Sequence, residues 1–113
     1  MCGIIFVLSK KNINIINYIL NGLELIQNRG YDSMGICYLD KNKQKYIIEK
    51  FASKNTSDCF LILKDLFLSQ SITSNIALGH SRWATHGGKT DTNAHPHISQ
   101  KGNIILVHNG IIN

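Results

Sequence analysis

Four short stretches of this 113-residue chain gather side chains able to do chemistry: Cys2-Gly3-Ile4, Asn28-Arg29-Gly30-Tyr31-Asp32-Ser33, His80-Ser81-Arg82-Trp83-Ala84-Thr85-His86-Gly87 and Val107-His108-Asn109-Gly110. Removing Met1 from in front of a small residue would make Cys2 the N-terminus, so that one residue carries both a thiol and a free α-amine. Such groups have reference pKa values of about 8.5 and about 7.7–8.0, close to neutral pH. A thiol nucleophile with its own amine as general base is a complete acyl-transfer pair, the N-terminal version of a Ser–His arrangement. Each stretch also has a purely structural reading. Cys2 can be an early residue of a buried strand, Arg29 a cation at a helix C-terminus, Trp83 a packing residue, and Asn109-Gly110 a two-residue hairpin turn. His80, His86, His95, His97 and His108 raise a rival reading as a metal-binding module, with His95 and His97 on one face of a strand. No Asp or Glu lies near them and no cysteine stands at zinc-finger spacing, so they read instead as hydrogen-bonding anchors for loops, and no metal is expected.

The elements that must position these residues follow from the apolar pattern. Cys2 to Leu8 is a continuous apolar run bounded by Ser9-Lys10-Lys11-Asn12 and predicts a strand buried on both faces. Ile16, Ile19, Leu20, Leu23 and Ile26 or Gln27 recur near i, i+3, i+4, i+7. They predict an amphipathic helix from about Asn14 to Gln27, capped by Asn12 or Asn14 and closed by a left-handed Gly30. Gly35 to Leu39 and Gln44 to Phe51 predict a hairpin around the turn Asp40-Lys41-Asn42-Lys43. Ser57 can cap a second helix from about Asp58 to Ser69, with Phe60, Leu61, Leu63, Leu66 and Phe67 apolar. Ile76 to His80 predicts a strand leading into the Arg82-Trp83 motif, Lys89 to Asn93 a polar loop, and Ile104 to His108 a final strand that stops at Asn109-Gly110. The order predicts one layered α/β or α+β domain. Each reactive cluster then falls at the end of a strand or helix, where a rigid scaffold presents functional loops.

Composition removes several function classes. The net charge of +5 is modest and is concentrated in Lys41, Lys43 and Lys45, a solvated turn rather than a nucleic-acid surface. The odd count of cysteines, Cys2, Cys37 and Cys59, without a C-x-x-C, points to a reducing compartment and not to a disulfide framework. The apolar start has no basic region before it and no cleavage site after it, and no apolar run approaches the roughly 18 residues of a membrane span. A cytoplasmic location, with no membrane or nucleic-acid partner, is expected.

The clusters resemble those of the class II glutamine amidotransferases of the N-terminal-nucleophile hydrolase superfamily. The matching runs are Met1 to Ile4, Asn28 to Ser33, His80 to Gly87, Asn93-Ala94-His95-Pro96-His97 and Val107 to Asn113, in the family's order along the whole chain. The Arg-Gly-Tyr-Asp-Ser and Arg-Trp-Ala-Thr-His-Gly forms resemble the glutamine–fructose-6-phosphate amidotransferase family, and differ from the similar purine-pathway branch. The resemblance implies an α+β fold of the αββα sandwich type, with residues 1–113 a single partial glutaminase domain lacking the sugar isomerase domain. It implies hydrolysis of the glutamine side-chain amide through a Cys2 thioester, the ammonia serving in the family for glucosamine 6-phosphate synthesis, with no cofactor. It assigns Arg29 to holding the N-terminal residue and Asn109 with Gly110 to an oxyanion hole. Arg82 would bind the α-carboxylate of L-glutamine, and Trp83, Thr85 and His86 fall in a loop that closes over glutamine, with Gly87-Gly88 as hinge. Family domains continue past the position of Asn113 with further strands and an acidic residue for the α-amino group. The expected partner is therefore the missing C-terminal segment or a separate synthase/isomerase chain. The alternative reading is a non-catalytic truncated remnant that folds or acts only with such a partner.

Overall fold

The periodic positions after Asn14 do form a helix. In the computed structural model of the chain, which describes residues 2–26, 32–53, 58–84 and 87–112, α1 (Ile15–Ile26) buries Ile15, Ile16, Ile19 and Leu23 and exposes Tyr18 and Leu25. These buried positions form the stripe that a 3.6-residue period places on one face. The stripe lies on an antiparallel sheet of β1 (Gly3–Ile13), β2 (Ser33–Asp40), β3 (Lys45–Ala52) and β4 (Ser74–Arg82), in the order β1-β4-β2-β3. Close approach of the helix depends on Gly79 of β4, where a Cβ would stand 2.7 Å from the Ile19 side chain. A second helix, α2 (Cys59–Leu68), buries Cys59, Phe60, Leu63 and Phe67 against the same core, together with Met34, Ile36 and Ala77 from the sheet. Its N-cap is Asp58, whose carboxylate accepts the Phe60 N–H, so the cap expected of Ser57 is supplied by the next residue. Met1, Arg29, the Gly30 cap, Ser57, Thr85 and His86 lie outside the described residues.

The β2–β3 hairpin turns where the sequence predicts. Asp40 Oδ1 accepts the N–H groups of Asn42 and Lys43 at 3.0 and 3.1 Å, and Gln44 takes the left-handed conformation (φ 51°) that closes the turn. Two expectations need correction. The first strand is longer than its apolar run and is covered on one face only: Ile4, Phe6 and Leu8 are 42, 57 and 66 % exposed while Ile5 and Val7 pack on the core. Both helices occupy the inner face, so the alternating outer residues of this edge strand stay largely exposed, with Ile105 lining a cavity beside Phe6. The predicted final strand, Ile104 to His108, shrinks to β6 (Ile105–Leu106). It pairs with an unpredicted β5 (His97–Ile98) in a separate two-stranded sheet rather than joining the main one.

The segment before β5 is fastened to the outer face of β2 and β3. Lys50 Nζ donates to the carbonyls of Ala94, Pro96 and Thr92 at 2.8, 3.2 and 3.4 Å, and Asp91 Oδ1 accepts the Ala52 N–H at 2.7 Å. Gly35 permits the contact, since a Cβ there would collide with the His95 carbonyl oxygen. The fold is thus α+β, with helices on one sheet face and the segment carrying His95 on the other.

Candidate active site

The site forms where the N-terminal end of β1 meets the C-terminal end of β4. The register pairs Gly3 with Ser81 and Ile4 with His80, which sets Cys2 beside the chain leaving β4. There the Cys2 thiol is bracketed by one peptide group on each side of Trp83. The Trp83 N–H donates to Sγ at 3.3 Å, and the Trp83 carbonyl accepts from Sγ at 3.7 Å. The amide can stabilise a thiolate and the carbonyl a thiol, so this pair accommodates both forms of the sulfur. Cys2 is partly exposed, whereas Cys37 and Cys59 are buried; burial pushes the Cys37 thiol up to about 12 and raises Cys59 as well.

Asn109 reaches the same place from the far end of the chain. Its Nδ2 donates to the Cys2 carbonyl at 3.2 Å, and its Oδ1 lies 2.8 Å from His80 Nε2. A carboxamide nitrogen carries two hydrogens, so one remains available beside the Cys2 carbonyl. Gly110 follows at φ 145°, a conformation that favours glycine, and a Cβ there would stand 3.1 Å from the His108 ring. His80 is fully buried and stacks on His95 at 4.4 Å between ring centroids, and His95 in turn meets His97 edge-on at 4.5 Å. His95 Nδ1 accepts the His108 N–H at 3.4 Å. Burial lowers the pKa of His80 against the opposing effect of its Asn109 bond, and burial with the neighbouring His80 and His97 rings and the Arg82 and Lys50 charges lowers His95 to about 4. Both imidazoles are therefore neutral at pH 7. No group of three or more His, Cys, Asp or Glu side chains is arranged to hold a metal among the described residues.

Arg82 and Trp83 stand on the solvent side. Arg82 Nη1 donates to the Gly88 carbonyl at 3.3 Å, and Trp83 is exposed. Gly87 takes φ 76°, a left-handed turn on the segment that follows them. Sequence reasoning missed the residue that holds this segment. Asp32, only 8 % exposed, accepts the Ala84 N–H on Oδ2 at 2.8 Å and pairs with Lys89 Nζ on Oδ1 at 2.7 Å. Its own N–H donates to the Arg82 carbonyl at 3.0 Å. Burial would raise its pKa, but Lys89, the Ala84 amide and the Arg82 charge outweigh burial and hold the carboxyl below its usual range. Asp32 stood inside a recognised motif, but its partners become visible only with the β2–β4 register that pairs Ser33 with Arg82.

No protein-family profile matches the chain. Comparison with curated proteins is informative. The chain is 44 % identical over 112 residues to a probable glutamine–fructose-6-phosphate aminotransferase (isomerizing) of Acanthamoeba polyphaga mimivirus. It is 42 % identical over 112 residues to that of Wigglesworthia glossinidia brevipalpis and 45 % identical over 114 residues to that of Pyrococcus horikoshii. Each comparison covers 99 % of this chain but only 17 or 18 % of the relative. The chain therefore corresponds over nearly its whole length to one segment of a much longer enzyme. No helix among the described residues is long and apolar enough to cross a membrane.

Proposed function

We propose that this chain, a homologue of one segment of the glutamine–fructose-6-phosphate aminotransferases, is the nucleophile-bearing part of their glutaminase. The observation that carries the reading is the meeting of residues from opposite ends of the chain. The Cys2 sulfur sits against the Trp83 peptide, and an Asn109 amide donor sits on the Cys2 carbonyl. After loss of Met1, the Cys2 thiol attacks the side-chain carbonyl carbon of L-glutamine and passes its proton to the free α-amine. The tetrahedral intermediate collapses as the C–N bond breaks and the α-ammonium gives its proton to the departing ammonia. Water then attacks the Cys2 thioester, releasing glutamate and restoring the thiol. The remaining Asn109 Nδ2 hydrogen and the Gly110 N–H face the oxyanion in this scheme, each such donor being worth about 2.7–4 kcal/mol in the transition state. Arg82 would release Gly88 to fork onto the substrate α-carboxylate, Trp83, Thr85 and His86 would close over the substrate about Gly87, and Arg29 would hold the new N-terminus. In the complete enzyme the ammonia passes to fructose 6-phosphate.

The antiparallel sheet with both helices on one face supports reading the chain as the first part of an αββα sandwich of the N-terminal-nucleophile type. The exposed apolar residues Ile4, Phe6 and Leu8 favour the companion reading that the segment works only with further polypeptide over that face, from its own chain or a partner. The test is ammonia release from glutamine by the purified protein, with intact mass to establish removal of Met1. Activity abolished by Cys2→Ala supports the reading; activity that survives this substitution refutes it.

A further inference from the structure

His80 is a fully buried polar side chain that the reaction scheme above leaves without a task. Its surroundings restrict what it can be. The Cys2 carbonyl oxygen can only accept, so the Asn109 atom 3.2 Å from it must be the amide nitrogen. Oδ1 then faces His80 Nε2 at 2.8 Å, and an acceptor at that distance requires the hydrogen to be on Nε2. Turning the carboxamide over would set two acceptors against each other at Cys2, and would keep the His80 contact only with the ring proton moved to Nδ1, where it has no acceptor among the described residues. The second ring nitrogen, Nδ1, is buried with no hydrogen-bond partner among the described residues, as a bare lone pair in an apolar stack on His95 permits. His95 fixes the same turn from its other side through the His108 N–H.

We propose that His80 is a positioning residue, whose Nε2–H holds the Asn109 carboxamide in the one orientation that turns Nδ2 toward Cys2. The inference rests on the glutaminase reading for its kinetic consequence, but not for its structural content. Asn109 is exposed, and a free carboxamide on an exposed turn samples both orientations. With the buried imidazole behind it, the amide donor is preset before any substrate arrives, as electrostatic preorganisation requires.

Two measurements test this. The first uses the unmodified protein: imidazole nitrogen resonances of His80 report its tautomer. A proton on Nε2 and a bare Nδ1 are expected; a proton on Nδ1 alone overturns the proposal whether or not the protein hydrolyses glutamine. The second is kinetic. His80→Phe, which keeps a planar aromatic ring and removes the donor, is expected to lower kcat for glutamine about 100-fold, approaching the loss of one oxyanion donor, with KM changed less than about twofold. His80→Gln, which restores an N–H near the Nε2 position, is expected to recover at least tenfold of that loss. Adding Asn109→Ala to His80→Phe is expected to cost little beyond Asn109→Ala alone, because both remove the same donor. Losses that multiply, or a His80→Phe effect confined to KM, overturn the proposal. If His80→Phe does not fold, the tautomer and His80→Gln still decide it. If the unmodified protein hydrolyses no glutamine by itself, the segment is not active alone, the companion reading stands, and the tautomer still decides the proposal.

Discussion

Asp32→Asn isolates the clasp that holds the segment behind the thiol. The wild-type carboxylate satisfies two donors at once, the Ala84 N–H at 2.8 Å and Lys89 Nζ at 2.7 Å. The carboxamide has nearly the same shape but a single oxygen. Whichever donor that oxygen keeps, the other faces an NH2 group. A hydrogen bond to a charged group contributes about 1.5–3 kcal/mol. The Lys89 side chain is 57 % exposed, so its pairing is screened and contributes no more than about 1 kcal/mol. The expected loss at pH 7 is about 2 kcal/mol, a fall in Tm of about 10 °C for a domain of this size. The pH dependence has a defined sign. Asp32's folded pKa lies below the reference value of 3.8, so its stabilisation is present above that value and disappears as pH falls through the lowered one. Thermal melts of both proteins from pH 7 down to pH 3 should therefore show a gap that narrows at the acid end. A gap under about 0.5 kcal/mol at pH 7, or one that stays constant into acid, would refute the clasp.

Further outcomes follow from the same geometry. Gly35→Ala sets a methyl group into the His95 carbonyl and should destabilise the protein by about 1–3 kcal/mol in denaturant titration; unchanged stability would show that the segment is not seated on β2. Asn109→Ala should reduce kcat for glutamine by about 10²–10³-fold in steady-state assays, whereas a loss under about threefold would remove it from the oxyanion site. A thiol-specific reagent at pH 8 should modify Cys2 in the native protein and reach Cys37, held near 12 by burial, and Cys59 only after denaturation; three equally fast thiols would contradict the buried placement.

The parts of the fold legible in the sequence are those fixed by local chemistry. The isoleucines and leucines of α1 declare their buried stripe by spacing alone, and Asp40 declares the hairpin because its side chain can satisfy its own turn. β1 was legible as a strand but not in its exposure. A run such as Ile4-Ile5-Phe6-Val7-Leu8 is apolar on both sides, and only the three-dimensional arrangement reveals that the helices cover Ile5 and Val7 alone. β5 and β6, at two residues each, are too short to carry a period of two. At the site, the motifs that carry the resemblance single out Cys2, Arg82 and Asn109; the structure brings Cys2 and Asn109 into contact and sets Arg82 on the Gly88 carbonyl. Asp32, Lys50 and His80 act through partners brought together by strand register and by the seating of the His95 segment, which no local pattern encodes. His80 and His95 do anchor a loop by hydrogen bonds, as the sequence suggests; what the sequence could not supply was the partner of each, Asn109 and the His108 N–H.

The central claim is that Cys2 is the nucleophile of a glutaminase. It is tested most directly by treating the purified protein with an electrophilic glutamine analogue and mapping the adduct by mass spectrometry. A single adduct on an N-terminal Cys2, protection by L-glutamine, and no adduct after Cys2→Ala are expected. An adduct on Cys37 or Cys59, or labelling that survives Cys2→Ala, would contradict it.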